Sequence, residues 1–265
     1  MRSRFVFNGR GSDEFGLTIE NLPESIHAMR RGEIYQIEGR NGDFVREDGT
    51  YDNYVQPYQV WSRNFDTGRD AYQNGRDIAA WLIGSSGYCR LEDTYEPEHF
   101  RLARFAGPIE VQSILRQFGR ATLEFDCRPE RFMKSGAVPV TLLNSVDLSN
   151  ATAALAATKT VTNNSPFTAK PIIRVSGSGN VGFVVENDVD YCVIEIAFGS
   201  NTNFVVEIDC ETYSYNVAPE IISIGPNFPT LPSLRPGNTT FSALPYMTDP
   251  GTLNTLQIIP RWWEI

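Results

Sequence analysis

The stretch Ala121–Cys127, "ATLEFDC", decides how this chain is read. Ala121, Leu123, Phe125 and Cys127 fall on one side of an extended backbone, and Thr122, Glu124 and Asp126 on the other. Such strict alternation marks an antiparallel strand with one face buried and one in water. The rhythm returns in "FVVEIDCE", where Phe204, Val206, Ile208 and Cys210 alternate with Val205, Glu207, Asp209 and Glu211. It returns again in "YCVIEI", with Cys192, Ile194 and Ile196 as the inward set. Turn signals separate these runs along the whole chain, which predicts a mainly β protein of sandwiches or barrels.

One segment has another period. "DTGRDAYQNGRDIAAWLIGSSG" places Ala71, Tyr72, Ile78, Ala79, Leu82 and Ile83 on one helical stripe. Asp66 or Thr67 is suited to cap its start and Gly84 to end it. Gly75 in its middle costs about 1 kcal/mol against Ala, so packing against a sheet must hold this helix. "SNATAALAATKT" (149–160) lacks a clean stripe and reads as a loop or strand edge.

The charges divide the chain. Of 23 Lys and Arg, 18 lie at or before Lys134, and the 32 acids split 21 and 11 across the same point. The second half is sparse in charge and richer in Asn, Ser, Thr, Gly and Pro, the texture of a small jelly-roll-like sandwich. "MKSGAVPVTL" marks the boundary, giving domains 1–137 and 138–265. The abundant Arg of the first half suits a charge-rich interface, because guanidinium pairs with carboxylates in bidentate fashion. The net charge of −9 argues against broad phosphate neutralisation.

Most candidate chemistry has a plainer reading. Gly177, Gly179 and Gly182 fit G-x-G-x-x-G, but "FVVENDVD" follows as a strand where a dinucleotide site needs a helix. These glycines read as the hairpin turn "SGSGN". His27 and His99 sit among charged residues as exposed loop histidines, and no nucleophile elbow is present. The acidic runs at 46–52 and 186–190 match no calcium loop and read as solvated turns. Cys89, Cys127, Cys192 and Cys210 form no C-x-x-C pair and read as reduced, structural thiols. No signal-peptide stretch opens the chain, no run is long enough to cross a bilayer, and the sequons at Asn150, Asn163 and Asn238 read as chance. No cofactor or metal is expected. In "LQIIPRWWEI", Trp262 and Trp263 point oppositely if extended, one toward a core and one toward a partner or sugar.

"QIEGRNGDFVREDGTYDNY" (36–54) reads as a hairpin. Gly39, Asn41 and Gly42 tolerate positive φ and make a tight turn. Tyr35 and Ile37 lead in, and Phe44 and Val45 lead out.

Several segments in order resemble a known family. "FVFNGRGSDEFGLTIENLP", "RRGEIYQIEGRNGDFVREDGTYDNY", the helix with "IAAWL", "LEDTYEPEHFRLARF" and "GRATLEFDCRPERF" resemble the N-terminal domain of the distal tail protein family of long-tailed phages (Dit, or siphovirus tail component). "NNSPFTAKPIIRVSGSGNVGF", "FVVEIDCETYSY", "FPTLPSLRPGN" and "IIPRWW" resemble its galectin-like C-terminal domain. The likeness covers nearly the whole chain.

The resemblance implies an N-terminal β-sandwich or split barrel with one helix, related to tail-tube proteins, and a C-terminal galectin-like β-sandwich. It implies a virion protein at the tail tip, made in the host cytoplasm: a non-enzymatic baseplate hub. Six copies would form a homohexameric ring joining the tail tube to tail-tip, lysin-like proteins, with a receptor-binding protein on the C-terminal domain. DNA would pass through the channel without specific binding, and an acidic balance suits such a channel. No membrane partner is implied. A closed ring uses heterologous contacts, and the mixed charges of the 36–54 hairpin suit them. Glu38, Arg40, Asn41, Asp43, Phe44 and Arg46 are therefore the interface candidates. The alternative is a carbohydrate-binding adhesion module gripping host cell-wall glycans through Tyr213, Tyr215, Trp262 and Trp263. Galectin sugar sites combine His, Asn, Arg and Trp. The second half has no His and only Arg174, Arg235 and Arg261, which weakens that alternative.

Overall fold

A computed structural model describes residues 3–62, 71–107, 119–199, 204–217, 222–224, 231–245 and 249–265. The chain is mainly β and divides into two compact units, 1–131 with 265, and 132–264.

The first unit contains β1 (Phe5–Phe7), β2 (Arg10–Gly11), β3 (Leu17–Ile19), β4 (Arg30–Tyr35), β5 (Phe44–Tyr51) and β6 (Tyr54–Ser62). After α1 (Ala71–Ile83) come β7 (Cys89–Asp93), β8 (His99–Phe105) and β9 (Arg120–Met133). One antiparallel sheet has the order β2-β1-β7-β8-β9-β6-β3. Among the described residues, strands β4 and β5 pair with each other alone, as a separate ribbon.

The alternation in 121–127 behaves as read: Leu123, Phe125 and Cys127 are fully buried. They face an aromatic core in which Phe5 stacks on Tyr58 at 5.2 Å and Phe15 on Trp81 at 4.5 Å between ring centroids. Burying each such ring stabilises the unit by roughly 2–3 kcal/mol. Helix α1 lies against this core, and its stripe is rotated from the expected one. Asn74, Ile78, Trp81 and Leu82 are buried, Ala79 is half-buried and Ile83 is 53% exposed. Trp81 wins the inward position because its ring fills the aromatic cluster while its Nε1 donates to the Phe7 carbonyl at 2.9 Å. The Asn74 amide donates to the Phe15 carbonyl at 3.0 Å, so a polar residue that hydropathy sends outward is drawn in. Gly84 follows the last helical residue, its N–H bonded to Ala80. The cap candidates Asp66 and Thr67 and the side chains of Ala71 and Tyr72 lie outside the described residues.

The second unit contains β10 (Val140–Asp147), α2 (Ala151–Ala156), β11 (Thr158–Asn163), β12 (Ile172–Glu186), β13 (Tyr191–Gly199), β14 (Val206–Asp209) and β15 (Ser214–Tyr215). It continues with β16 (Ile222–Ile224), β17 (Gly237–Ala243), β18 (Thr252–Ile259) and β19 (Trp263–Glu264). The stretch 149–160 is not a loop. Asn150 caps α2 by accepting from the Ala153 N–H at 3.2 Å, and Ala154 is fully buried. Asn163, another sequon, is buried and donates to the Phe167 and Leu234 carbonyls.

Strand β12 organises this unit. Its first half pairs with β18 on one side and β14 on the other. Its second half pairs with β13 and β17. One strand thus belongs to two sheets, and Gly177, Gly179 and Gly182 lie inside it, so the expected hairpin turn does not form. The ladder shifts between Ser176 and Gly177 and between Gly179 and Asn180. Such bulges let a strand bend out of one sheet and into another. Gly179 has φ +67, and a Cβ there would stand 2.9 Å from Gly251 Cα. A Cβ on Gly251 would lie 1.7 Å from the Ser178 carbonyl oxygen. Glycine is required because backbone meets backbone at the bend.

Candidate assembly surface

The candidate surface is the β4–β5 ribbon. The pairs Tyr35↔Phe44, Ile34↔Val45 and Glu33↔Arg46 set its register. In the intervening turn, Gly39 and Gly42 have φ +80 and +81, and the Arg40 N–H donates to the Ile37 carbonyl at 3.1 Å. At the root, Arg30 pairs with Glu47 at 2.9 Å and Arg31 with Asp52 at 2.8 Å. The Asp48 carboxylate accepts from the Thr50 hydroxyl and N–H, which hold its pKa below the usual carboxylate range.

Paired residues share a face, so Tyr35 and Phe44 lie on one side and Ile34 and Val45 on the other. Both sides are open: Ile34 is 67%, Val45 51%, Phe44 46% and Tyr35 44% exposed. An antiparallel ribbon in water ordinarily covers one face with its own core. This one covers neither, and an isolated two-stranded hairpin is only marginally stable in water. Ribbon residues come within hydrogen-bonding or ring contact of one another, as where Tyr35 donates to Glu33 and lies 6.4 Å from the Phe44 ring.

All six interface candidates lie on this ribbon: Glu38, Arg40, Asn41 and Asp43 in the turn, Phe44 and Arg46 on β5. Sequence reasoning did not anticipate the doubly exposed apolar pairs. The signal was available, because the adjacent doublets Ile34-Tyr35 and Phe44-Val45 put an apolar group on each face of any strand.

The aromatic candidates of the second unit do not form one platform. Trp262, Trp263 and Tyr215 are half-buried and packed against its core. The Trp263 ring stacks on Phe167 at 4.4 Å, and its Nε1 donates to the Thr168 carbonyl at 3.0 Å. Tyr213 is 48% exposed, at a turn with φ +55, with Lys170 Nζ 5.9 Å from its ring centroid.

A buried polar cluster in the first unit is a structural knot. Buried Arg101 donates to the Tyr54 hydroxyl at 2.9 Å, to Asp93 at 3.1 Å and to Glu96. The Tyr58 hydroxyl donates to the same Asp93 at 2.7 Å. Burial raises the Tyr54 phenol to about 12, so it stays a neutral donor and acceptor. Cys127 and Cys210 are buried and their thiols are pushed up to about 12 by the same desolvation, which leaves them unreactive. Cys192 is also buried and Cys89 half-buried. His27 is exposed, whereas His99 is half-buried and opens β8, so it is a strand residue. Among the described residues no group of three or more His, Cys, Asp or Glu is placed to hold a metal ion. Among them, too, no helix is long and apolar enough to cross a membrane.

No protein family and no curated protein matches this sequence. A solved structure does. The SPP1 Dit (gp 19.1) protein, described as a paradigm of hub adsorption apparatus in Gram-positive infecting phages, matches at a TM-score of 0.64 and 14% identity. The match covers 97% of this chain and 98% of that one. The chain has the fold of a Dit protein.

Proposed function

We propose that this chain is a structural hub of a phage tail tip, joining copies of itself into a ring and binding neighbouring tail proteins. In this reading residues 1–137 build the ring and residues 138–265 form the galectin-like domain that projects toward a receptor-binding protein. The ring is a hexamer between the tail tube and the lysin-like tip, and DNA passes through it.

The observation that carries the reading is the ribbon exposed on both faces. Its four apolar side chains gain roughly 1 kcal/mol each when a partner finishes burying them. Its charges give a partner register but little affinity while they stay solvated. Likeness to a hub protein along the whole chain supports the same reading. Light scattering on the purified protein tests it: a mass that rises with concentration to a closed multiple of 29.7 kDa is expected. A monomer at every concentration overturns it. Labelling of tails under the electron microscope should then mark the tip.

A further inference from the structure

We infer that the Arg40 side chain at the ribbon tip of one copy enters a pocket at the ribbon root of the next copy and pairs there with Glu24. The inference rests on the assembly reading above and names its receiving site.

The pocket is a cavity of about 230 Å³ lined by Asn21, Leu22, Pro23, Glu24, Pro57 and Gln59. Segment 20–28 runs directly into β4, and Pro57 and Gln59 lie on β6, which follows β5 after two residues. The pocket therefore flanks the place where the ribbon leaves its sheet. Its apolar lining is Leu22, Pro23 and Pro57, which fits the methylene stem of an arginine. Its polar residues are Asn21, Gln59 and Glu24, and the one charge among them is the Glu24 carboxylate. Asn21 donates its Nδ2 to Gln59 Oε1 at 2.6 Å, which leaves the Asn21 carbonyl oxygen open. Among the described residues the Glu24 carboxylate makes no ion pair or hydrogen bond. A guanidinium, with five donors and a full positive charge, complements the lone carboxylate and the Asn21 amide oxygen beside it.

Arg40 is the matching group. It lies between Gly39 and Asn41 at the apex, is exposed, and among the described residues its guanidinium makes no ion pair or hydrogen bond. Strand β4 alone separates tip from root by roughly 20 Å. The ribbon is open on both faces and so is not folded back on its own unit. Arg40 cannot reach its own pocket, and a second copy is the occupant whose charge complements it. Tip and pocket are different surfaces, the arrangement that a head-to-tail contact closing into a ring requires.

The test uses full-length chains and light scattering. Arg40→Glu and Glu24→Arg should each raise the concentration needed for assembly roughly tenfold or more, and the double exchange should restore it. Both positions are exposed, and circular dichroism checks that the variants stay folded. Chains carrying Arg40→Cys and chains carrying Glu24→Cys should form a disulfide-linked pair on mild oxidation only when mixed. Two normally assembling single variants overturn the pocket. If the same protein with residues 36–43 replaced by Asn-Gly no longer assembles, the ribbon reading survives that loss. If that shortened protein assembles as before, the ribbon reading falls with it. An effect of Glu24→Arg without one of Arg40→Glu assigns the pocket to a basic group of another protein and overturns the second-copy proposal.

Discussion

Two glycine-rich stretches of this molecule use the residue in opposite ways. In the ribbon turn, Gly39 and Gly42 sit at positive φ, and a side chain there would meet nothing within 4 Å. In β12, Gly177 and Gly179 lie inside a continuous strand, where a Cβ would stand 2.6 Å from the Thr252 carbonyl oxygen or 2.9 Å from Gly251 Cα. The first pair supplies a backbone conformation at an open edge. The second supplies space where two backbones cross. The ribbon turn thus stands open to its surroundings, and the β12 bend is closed within its own unit.

That contrast is breakable by mutation. The largest effect belongs to Gly251→Ala, whose new methyl would overlap the Ser178 carbonyl. A loss of about 3 kcal/mol or more in urea unfolding, or failure to fold, is expected. A loss under about 1 kcal/mol would mean that the two backbones can part at the crossing at little cost.

Next comes Trp263→Ala, which removes the ring stacked on Phe167 and a hydrogen bond to the Thr168 carbonyl. A half-buried tryptophan with these contacts should be worth about 2–3 kcal/mol to the second unit. Its glycan binding, if any is found on an array, should be unchanged when refolded protein is compared.

A smaller effect lies at Asp209, which accepts both Arg261 Nη atoms at 2.8 Å. Burial pushes the Asp209 pKa up, but the Arg261 and backbone donors outweigh it, so the net shift is downward. A lowered folded pKa gives stability that is present above the unfolded value, near 3.8, and lost as pH falls through the folded one. Asp209→Asn should therefore cost about 1 kcal/mol at neutral pH and flatten the acid limb of the stability curve. An unchanged acid limb would remove Asp209 from the explanation.

The smallest effect is expected at Gly39→Ala. The φ of +80 makes the turn itself less favourable by about 1–2 kcal/mol. Unfolding of the first core, followed through its buried Trp81, should move by less than about 0.5 kcal/mol, because the ribbon is outside that core. Assembly should weaken instead. A core destabilised as much as by Gly251→Ala would dissolve the distinction between the two stretches.

The comparison also shows what could be read in advance. Strands such as 121–127 were plain because a period of two needs only neighbours in the sequence to be seen. The 36–43 connection was plain in part: Gly39 and Gly42 take the expected positive φ, whereas Asn41 does not, and Ile37 falls after the end of β4 instead of within it. The β12 glycines carried the same local signature, and the turn reading failed because the decisive atoms belong to Gly251 and Thr252, over 70 residues away. The α1 stripe was misplaced by a helical step for a similar reason, since Trp81 is drawn in by Phe15 and the Phe7 carbonyl. The candidate surface was nominated through its charges; the doublets Ile34-Tyr35 and Phe44-Val45 carried the signal for an apolar group on each face, but their exposure is a matter of what packs on the ribbon, which neighbours in sequence do not encode.

The shared strand has a consequence for how the protein is made. Residues 172–178 of β12 have their ladder partners at Thr252–Ile259, so the second unit is held by contacts between segments about eighty residues apart. A ribosome must release the β18 segment before that unit can close. Until then Ile173 and Val175 wait uncovered, whereas the 30–51 ribbon can zip as soon as it emerges. Slow synthesis across the β18 codons should therefore harm yield more than slow synthesis across those of the ribbon.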